Sequence, residues 1–271
     1  MKGSTLVELL ISMIIGILII FCITKLYAEW HDDFRLLQAK NKLHENARMV
    51  SSLLTQHILS AGYIGCPRLT EKFSSFITPD NKIMGGQKNG FDFISIRRMN
   101  PATVLSETVK NNFLMVSPPL LLSRVKENHL WISDCKSAED FISNHFSNQK
   151  ENQQKIDVKG ELKNAYENYA EVGEFEMNSF YVEKSNRVRR DGSAIFSLFM
   201  QSGSARGEEI AEGVESFDIR YRLNNSEEKS AQEIIDWSSV SAVVISLELS
   251  SVEVFKNPLK EKIELDLSLK N

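Results

Sequence analysis

The sequence predicts an α+β protein, with one long N-terminal helix packed on an antiparallel β-sheet head. Three observations predict it. No proline precedes Pro67, and an uncharged run, Leu9–Thr24, passes into an amphipathic stretch. The C-terminal third alternates apolar and polar residues with a period of two. The chain has 271 residues, 42% hydrophobic and 25% charged, enough for a sizeable core. That composition excludes collagen-like, low-complexity and wholly disordered classes. A net charge of −4 argues against a nucleic-acid partner.

The helix comes first. Residues 4–24 carry Glu8 as their only charge, and at ~1.5 Å per residue they reach ~30 Å, the thickness of a bilayer core. The run is apolar all round, so a buried core helix is the poorer reading and a membrane segment the better one. A cleaved secretory signal fits less well. The run is too long, and it is followed by Lys25-Leu26-Tyr27 and Trp30 where a small-residue cleavage site would stand. Beyond it, Leu43, Ala47, Val50, Leu54, Ile58 and Ala61 share one helical face, while Lys40, Lys42, Glu45, Arg48 and Gln56 lie off it. Trp30, Phe34 and Leu37 form a similar stripe earlier. One continuous helix from Ser4 to Ala61 is expected, ~85 Å long, ending near Gly62.

The head follows. Phe91–Ile96, Phe113–Val116 and Leu130–Ile132 read as strands. Phe217–Leu223, Val243–Leu249 and Ile263–Leu269 alternate cleanly, as strands with one buried face do. Phe180–Glu183 and Arg187–Arg190 read as a hairpin turning at Lys184-Ser185-Asn186. The polar stretch 143–173 reads as an exposed loop or insertion, with a short helix near Glu161–Tyr169.

Few residues suggest chemistry. His31, His44, His57, His129 and His145 have no metal-ligand spacing and read as surface or capped histidines. No nucleophile elbow, P-loop or dinucleotide fingerprint is present. Gly203-Ser204-Ala205-Arg206-Gly207 reads as a turn. Asp32-Asp33 and Glu208-Glu209 read as solvated charge, and Arg187-Val188-Arg189-Arg190 as an exposed strand surface. Catalytic residues, metal and cofactor are therefore all expected to be absent.

The string Gly3-Ser4-Thr5-Leu6-Val7-Glu8-Leu9, set against the apolar run, resembles the processing motif of type IV prepilins. Ser4 stands where phenylalanine is usual, and the leader is short. The resemblance implies cleavage after Gly3 by prepilin peptidase, methylation of the new amine at Ser4, and an assembly role for Glu8. Ala61-Gly62-Tyr63-Ile64-Gly65-Cys66 is similar to a segment of PilW-type minor pilins. So are Phe180-Tyr181-Val182, Glu209–Arg222, and Trp237-Ser238-Ser239-Val240 with the strand Ala242–Leu249. Residues 67–179 have no counterpart.

The implied organisation is a leader (1–3), a transmembrane and assembly half-helix (4–28), an amphipathic half-helix (29–61) and a pilin-like periplasmic head (62–271). The implied role is to prime pilus assembly and cap the tip. Partners would be the other minor pilins, the major pilin, the peptidase, the inner-membrane assembly machinery and, before assembly, lipid. The N-terminus would be cytoplasmic. A J-type pseudopilin of type II secretion is the alternative, and a signal-anchored periplasmic enzyme or receptor a remoter one. Cys22 lies in the membrane run. For Cys66 and Cys135 two readings stand: a disulfide, which a periplasmic head permits and which would contribute ~4 kcal/mol across a loop of about 70 residues, or two free thiols.

Overall fold

The computed structural model describes residues 4–65, 81–109, 112–120, 128–148, 152–189, 191–224, 226–253 and 258–269. Among the described residues, one α-helix, α1 (Ser4–Leu59), is followed by two single-turn 3-10 helices, Ala231–Glu233 and Trp237–Ser239, and by thirteen strands. These are β1 (Ile83–Lys88), β2 (Phe91–Leu105), β3 (Phe113–Ser117), β4 (Asn128–Ser133), β5 (Ala138–Asn148), β6 (Gln154–Val158), β7 (Glu171–Val188), β8 (Ala194–Ser202), β9 (Glu208–Glu212), β10 (Val214–Leu223), β11 (Glu228–Lys229), β12 (Val240–Ser250) and β13 (Lys260–Ser268). The α+β expectation holds: one long apolar helix packs with a large antiparallel sheet structure.

The helix needs no internal break because Gly16 is the only glycine and no proline lies within it. It stops where Gly62 takes φ 72°, a left-handed conformation suited to glycine, and the Gly62 N–H leaves the helix to bond Arg97 O at 2.9 Å.

The strands form two sheets. One has the order β11-β10-β12-β13, and its register sets Ile219 opposite Ile245 and Ile245 opposite Leu265. The other holds nine strands in the order β1-β2-β3-β6-β5-β4-β7-β8-β9, and β2 also pairs with β7. That extra pairing divides the head into two lobes. The first parts of β2 and the last parts of β7 lie with β1, β8 and β9 in an open sheet. Further along, β2, β3, β6, β5, β4 and β7 pair in a closed ring, a small barrel.

Each lobe has its own core. The first joins Leu43, Val50, Leu54 and Ile58 of α1 to Ile94, Phe180, Phe217, Tyr221, Ile245 and Leu247. The barrel interior is filled by Leu114, Val116, Leu130, Ile132, Phe141, Ile156, Tyr166 and Val172. At the passage between lobes, Pro101 lies opposite Gly173 beside a register shift. Proline donates no ladder hydrogen bond, which suits a bulge. A Cβ on Gly173 would run into the Asn100 carbonyl, so the close approach of β2 and β7 requires glycine there.

Two expectations are corrected. The described part of the stretch 143–173 is not one exposed loop. β5 runs into it and β6 lies within it, because Ile156 and Val158 point inward while Lys155 and Asp157 point outward. No helix forms near Glu161–Tyr169; that segment is irregular and delivers Tyr166 and Ala170 to the barrel core. Nor does the chain turn at Lys184-Ser185-Asn186. That site is an irregularity inside the continuous β7, whose pairing with β8 shifts between Lys184 and Val188. The reversal comes later, where Arg189 N bonds Ser193 O and Gly192 takes φ 84°.

Candidate functional site

The head leaves the first half of α1 bare. Coverage begins at Ala39 and continues through Leu43, Ala47, Val50, Leu54 and Ile58. Residues 4–38 form ~52 Å of helix; from Val7 to Gln38 no residue is buried, and the most apolar window has a mean hydropathy of 2.7. Length and hydropathy make this a helix able to cross a membrane, and an anchor or a signal sequence would both look so. The lack of any buried residue in that window removes the core-helix alternative.

Glu8 lies within this bare segment, one turn before Ser12 and beside Val7 and Ile11. Ser4 opens the helix. Gly3 lies outside the described residues. Trp30 (79% exposed), Phe34 and Leu37 (58% each) are not part of the packing face. At ~100° per residue they sit roughly 100–160° around the helix from Leu54, so the stripe points away from the head.

The amphipathic half is fixed by more than apolar burial. Glu212 of β9, 10% exposed, accepts Lys42 Nζ at 2.5 Å and Arg187 Nη1 at 2.6 Å. His44 Nδ1 meets Glu261 of β13 at 2.7 Å. Arg189 reaches Glu215 and Ser250, both at 2.9 Å. Arg187 and Arg189, expected on one exposed strand surface, are thus engaged with carboxylates of the head.

The segment after the helix is a joint. Met99 N bonds Tyr63 O at 2.7 Å, and the Tyr63 hydroxyl donates to Glu171 at 2.7 Å. Burial, aided by Glu171, pushes the Tyr63 phenol up to about 12. Ile64 is fully buried with Met99, Trp131 and Ala138. Gly65, at φ 96°, has no room for a Cβ beside Ser133. Cys66 lies outside the described residues. Cys135 is two residues beyond Ser133, in the β4–β5 turn, and is not a free thiol; Cys22 is free and exposed.

His57 departs from the surface reading. It is 8% exposed and bonded to Asn178. The signal was present in the sequence: His57 lies seven residues after Val50 and three after Leu54, on the side the head covers. His31, His129 and His145 are exposed, as are Asp32, Asp33, Glu208 and Glu209. The Gly203–Gly207 segment is the turn expected, between β8 and β9. Among the described residues, no group of three or more His, Cys, Asp or Glu side chains is placed to hold a metal.

No protein-family model, curated protein or solved structure matches the chain.

Proposed function

We propose that this chain is a minor type IV pilin of the PilW kind, which helps to prime pilus assembly and sits at or near the tip. One observation carries the reading: a prepilin-like processing string, Gly3–Leu9, opens a 56-residue helix whose apolar half is bare. In this reading the apolar half rests in the inner membrane, with the N-terminus cytoplasmic and the head periplasmic, and later packs among the helices of the other minor pilins and the major pilin. Those helices also supply cover for Trp30, Phe34 and Leu37. The role is structural, without catalysis. The same processing would occur in a J-type pseudopilin; the large head and the Ala61–Cys66 segment favour the pilus.

The test is the mass of the mature N-terminus in cells that carry a prepilin peptidase. The expected product begins at Ser4 with a methylated amine, and Gly3→Ala leaves the precursor uncut. An intact Met1 terminus in the wild type would overturn the proposal.

A Cys66–Cys135 disulfide belongs to the same reading. Gly65 lies against Ser133, which brings the chain close to the β4–β5 turn. Thiol labelling of the unreduced, denatured protein is expected to modify Cys22 alone, with two further thiols appearing after reduction. Labelling of all three before reduction would refute the pairing.

A further inference from the structure

The end of α1 is tied to the head through a side chain whose protonation state its neighbours dictate. His57 stands edge-on to Phe180 of β7, with ring centroids 5.4 Å apart. Its Nδ1 lies 3.2 Å from Nδ2 of Asn178, also on β7. The Asn178 amide cannot be turned round. Its Nδ2 donates to Glu176 Oε1 at 2.6 Å, and a carboxylate only accepts. Its Oδ1 receives the Ser202 hydroxyl of β8 at 2.6 Å. Asn178 therefore presents an N–H to His57, and Nδ1 must be the acceptor. The other Glu176 oxygen takes Arg98 of β2, with Nε at 3.0 Å and Nη2 at 2.9 Å. Arg98 Nη1 then donates to Ser60 Oγ at 3.1 Å, in the turn that closes the helix. The circuit runs from the helix through β7 and β2 and back to the helix end.

We propose that His57 is an acid-released latch: the neutral imidazole holds the helix end to β7 through Asn178, and a proton on Nδ1 breaks that hold. Imidazolium carries N–H donors on both nitrogens, so protonation sets donor against donor in a buried pocket. The charged groups facing His57 are Arg98 from β2 and Glu176 from β7; the turn after α1 and strand β8 contribute the neutral Ser60 and Ser202. Burial, then the Arg98 charge, hold His57 below the usual histidine range, and Glu176 opposes them. The sign follows. A released imidazole binds its proton near pH 6.5, and the latched one only at lower pH. The latch is therefore fully effective above about 6.5 and is lost as pH falls through the lower, latched value. Its release frees the Tyr63–Gly65 joint on which the barrel lobe is set. A latch of this kind works in the head alone and does not require that the chain be a pilin.

The test compares full-length wild type, His57→Asn and His44→Asn in detergent micelles from pH 8 to 5. The asparagine carbonyl can stand where Nδ1 stood, and it does not titrate. Two quantities are read: the thermal midpoint of the head, and hydrogen exchange at the Gly62 and Met99 amides, whose bonds to Arg97 and Tyr63 cross the joint. In the wild type the midpoint is expected to fall below pH 6.5. Protection of the two amides, corrected for intrinsic exchange, falls with it by up to about tenfold per pH unit. His57→Asn flattens both profiles and His44→Asn does not. Wild type and His57→Asn profiles that superimpose would overturn the latch. If His57→Asn does not fold, the wild-type ring titration by NMR decides: it must coincide with the release of Gly62 and Met99, and a titration at a different pH overturns the proposal.

Discussion

Truncation of Leu54 to alanine is expected to lower the unfolding free energy of the head by about 2–5 kcal/mol, whereas the same truncation at Leu37 leaves it unchanged. Leu54 is fully buried in the core shared by α1 and both sheets. The alanine variant loses the transfer free energy of the deleted carbons, and it also leaves a cavity. Two sheets and a helix meet around that cavity, so the site cannot easily collapse to fill it. Leu37, 58% exposed on another side of the helix, touches none of that core. Urea unfolding of the full chain in micelles, followed by the fluorescence of Trp131 and Trp237, measures both. Equal effects at the two positions would remove the packing face that joins helix to head.

That contrast shows what was legible in the sequence. The helix was readable because its signals are local. Absence of proline sets its length, the spacing of Leu43, Ala47, Val50, Leu54 and Ile58 sets its buried face, and Gly62 ends it. Strands β10, β12 and β13 were readable because each buries one face, and a half-buried strand shows its period of two. The barrel was not readable. Its strands β3 and β4 show as short apolar runs, but β6, five residues long, is too short for alternation to stand out in a polar stretch. The barrel closes by pairing β2 with β7, whose residues are some 70 positions apart. The position of closure rests on Gly173, a residue whose meaning depends on a backbone with no sequence neighbour near it. The exposed stripe Trp30, Phe34 and Leu37 shows the limit of such a pattern. Helical spacing reports that a face is apolar, but not which neighbour covers it, and the head does not reach that far. Of the two readings open to His57, surface or capped, its place on the covered side of the helix decides for the capped one, with Asn178 as partner. The string at Gly3–Leu9 stands apart: in the proposed reading it is read by a peptidase and not by the fold, so its meaning rests on resemblance and on the biochemical test.

Replacement of Glu8 by leucine is expected to give a processed, membrane-resident protein with a fully stable head that fails to assemble. A carboxylate near the end of an apolar helix costs something below the 2.5–3.5 kcal/mol assigned to a charge at the helix centre, so its removal makes insertion easier. The head cannot respond, because Glu8 lies 31 residues before Ala39, the first covered residue, or ~46 Å along the helix. Within the chain, then, Glu8 contributes nothing to the packing of the head, and in the proposed reading its value comes from another molecule. In the proposed reading that partner is the methylated amine of Ser4 on an adjacent subunit, which exists only after cleavage. Methylation keeps the positive charge. Among apolar helices such a pair is weakly screened, and a mismatch leaves a charge unpaired, so the pair fixes the axial register between subunits. Glu8→Asp keeps the charge and loses one methylene of reach, and it is expected to assemble partially. The measurement is pilus yield from cells with matched protein levels, alongside the mature N-terminal mass and the thermal midpoint of the head. Wild-type yield from Glu8→Leu would reduce Glu8 to a charge tolerated at the membrane edge. A fallen thermal midpoint in that variant would show that Glu8 acts within the chain, against the 46 Å that separate it from the head.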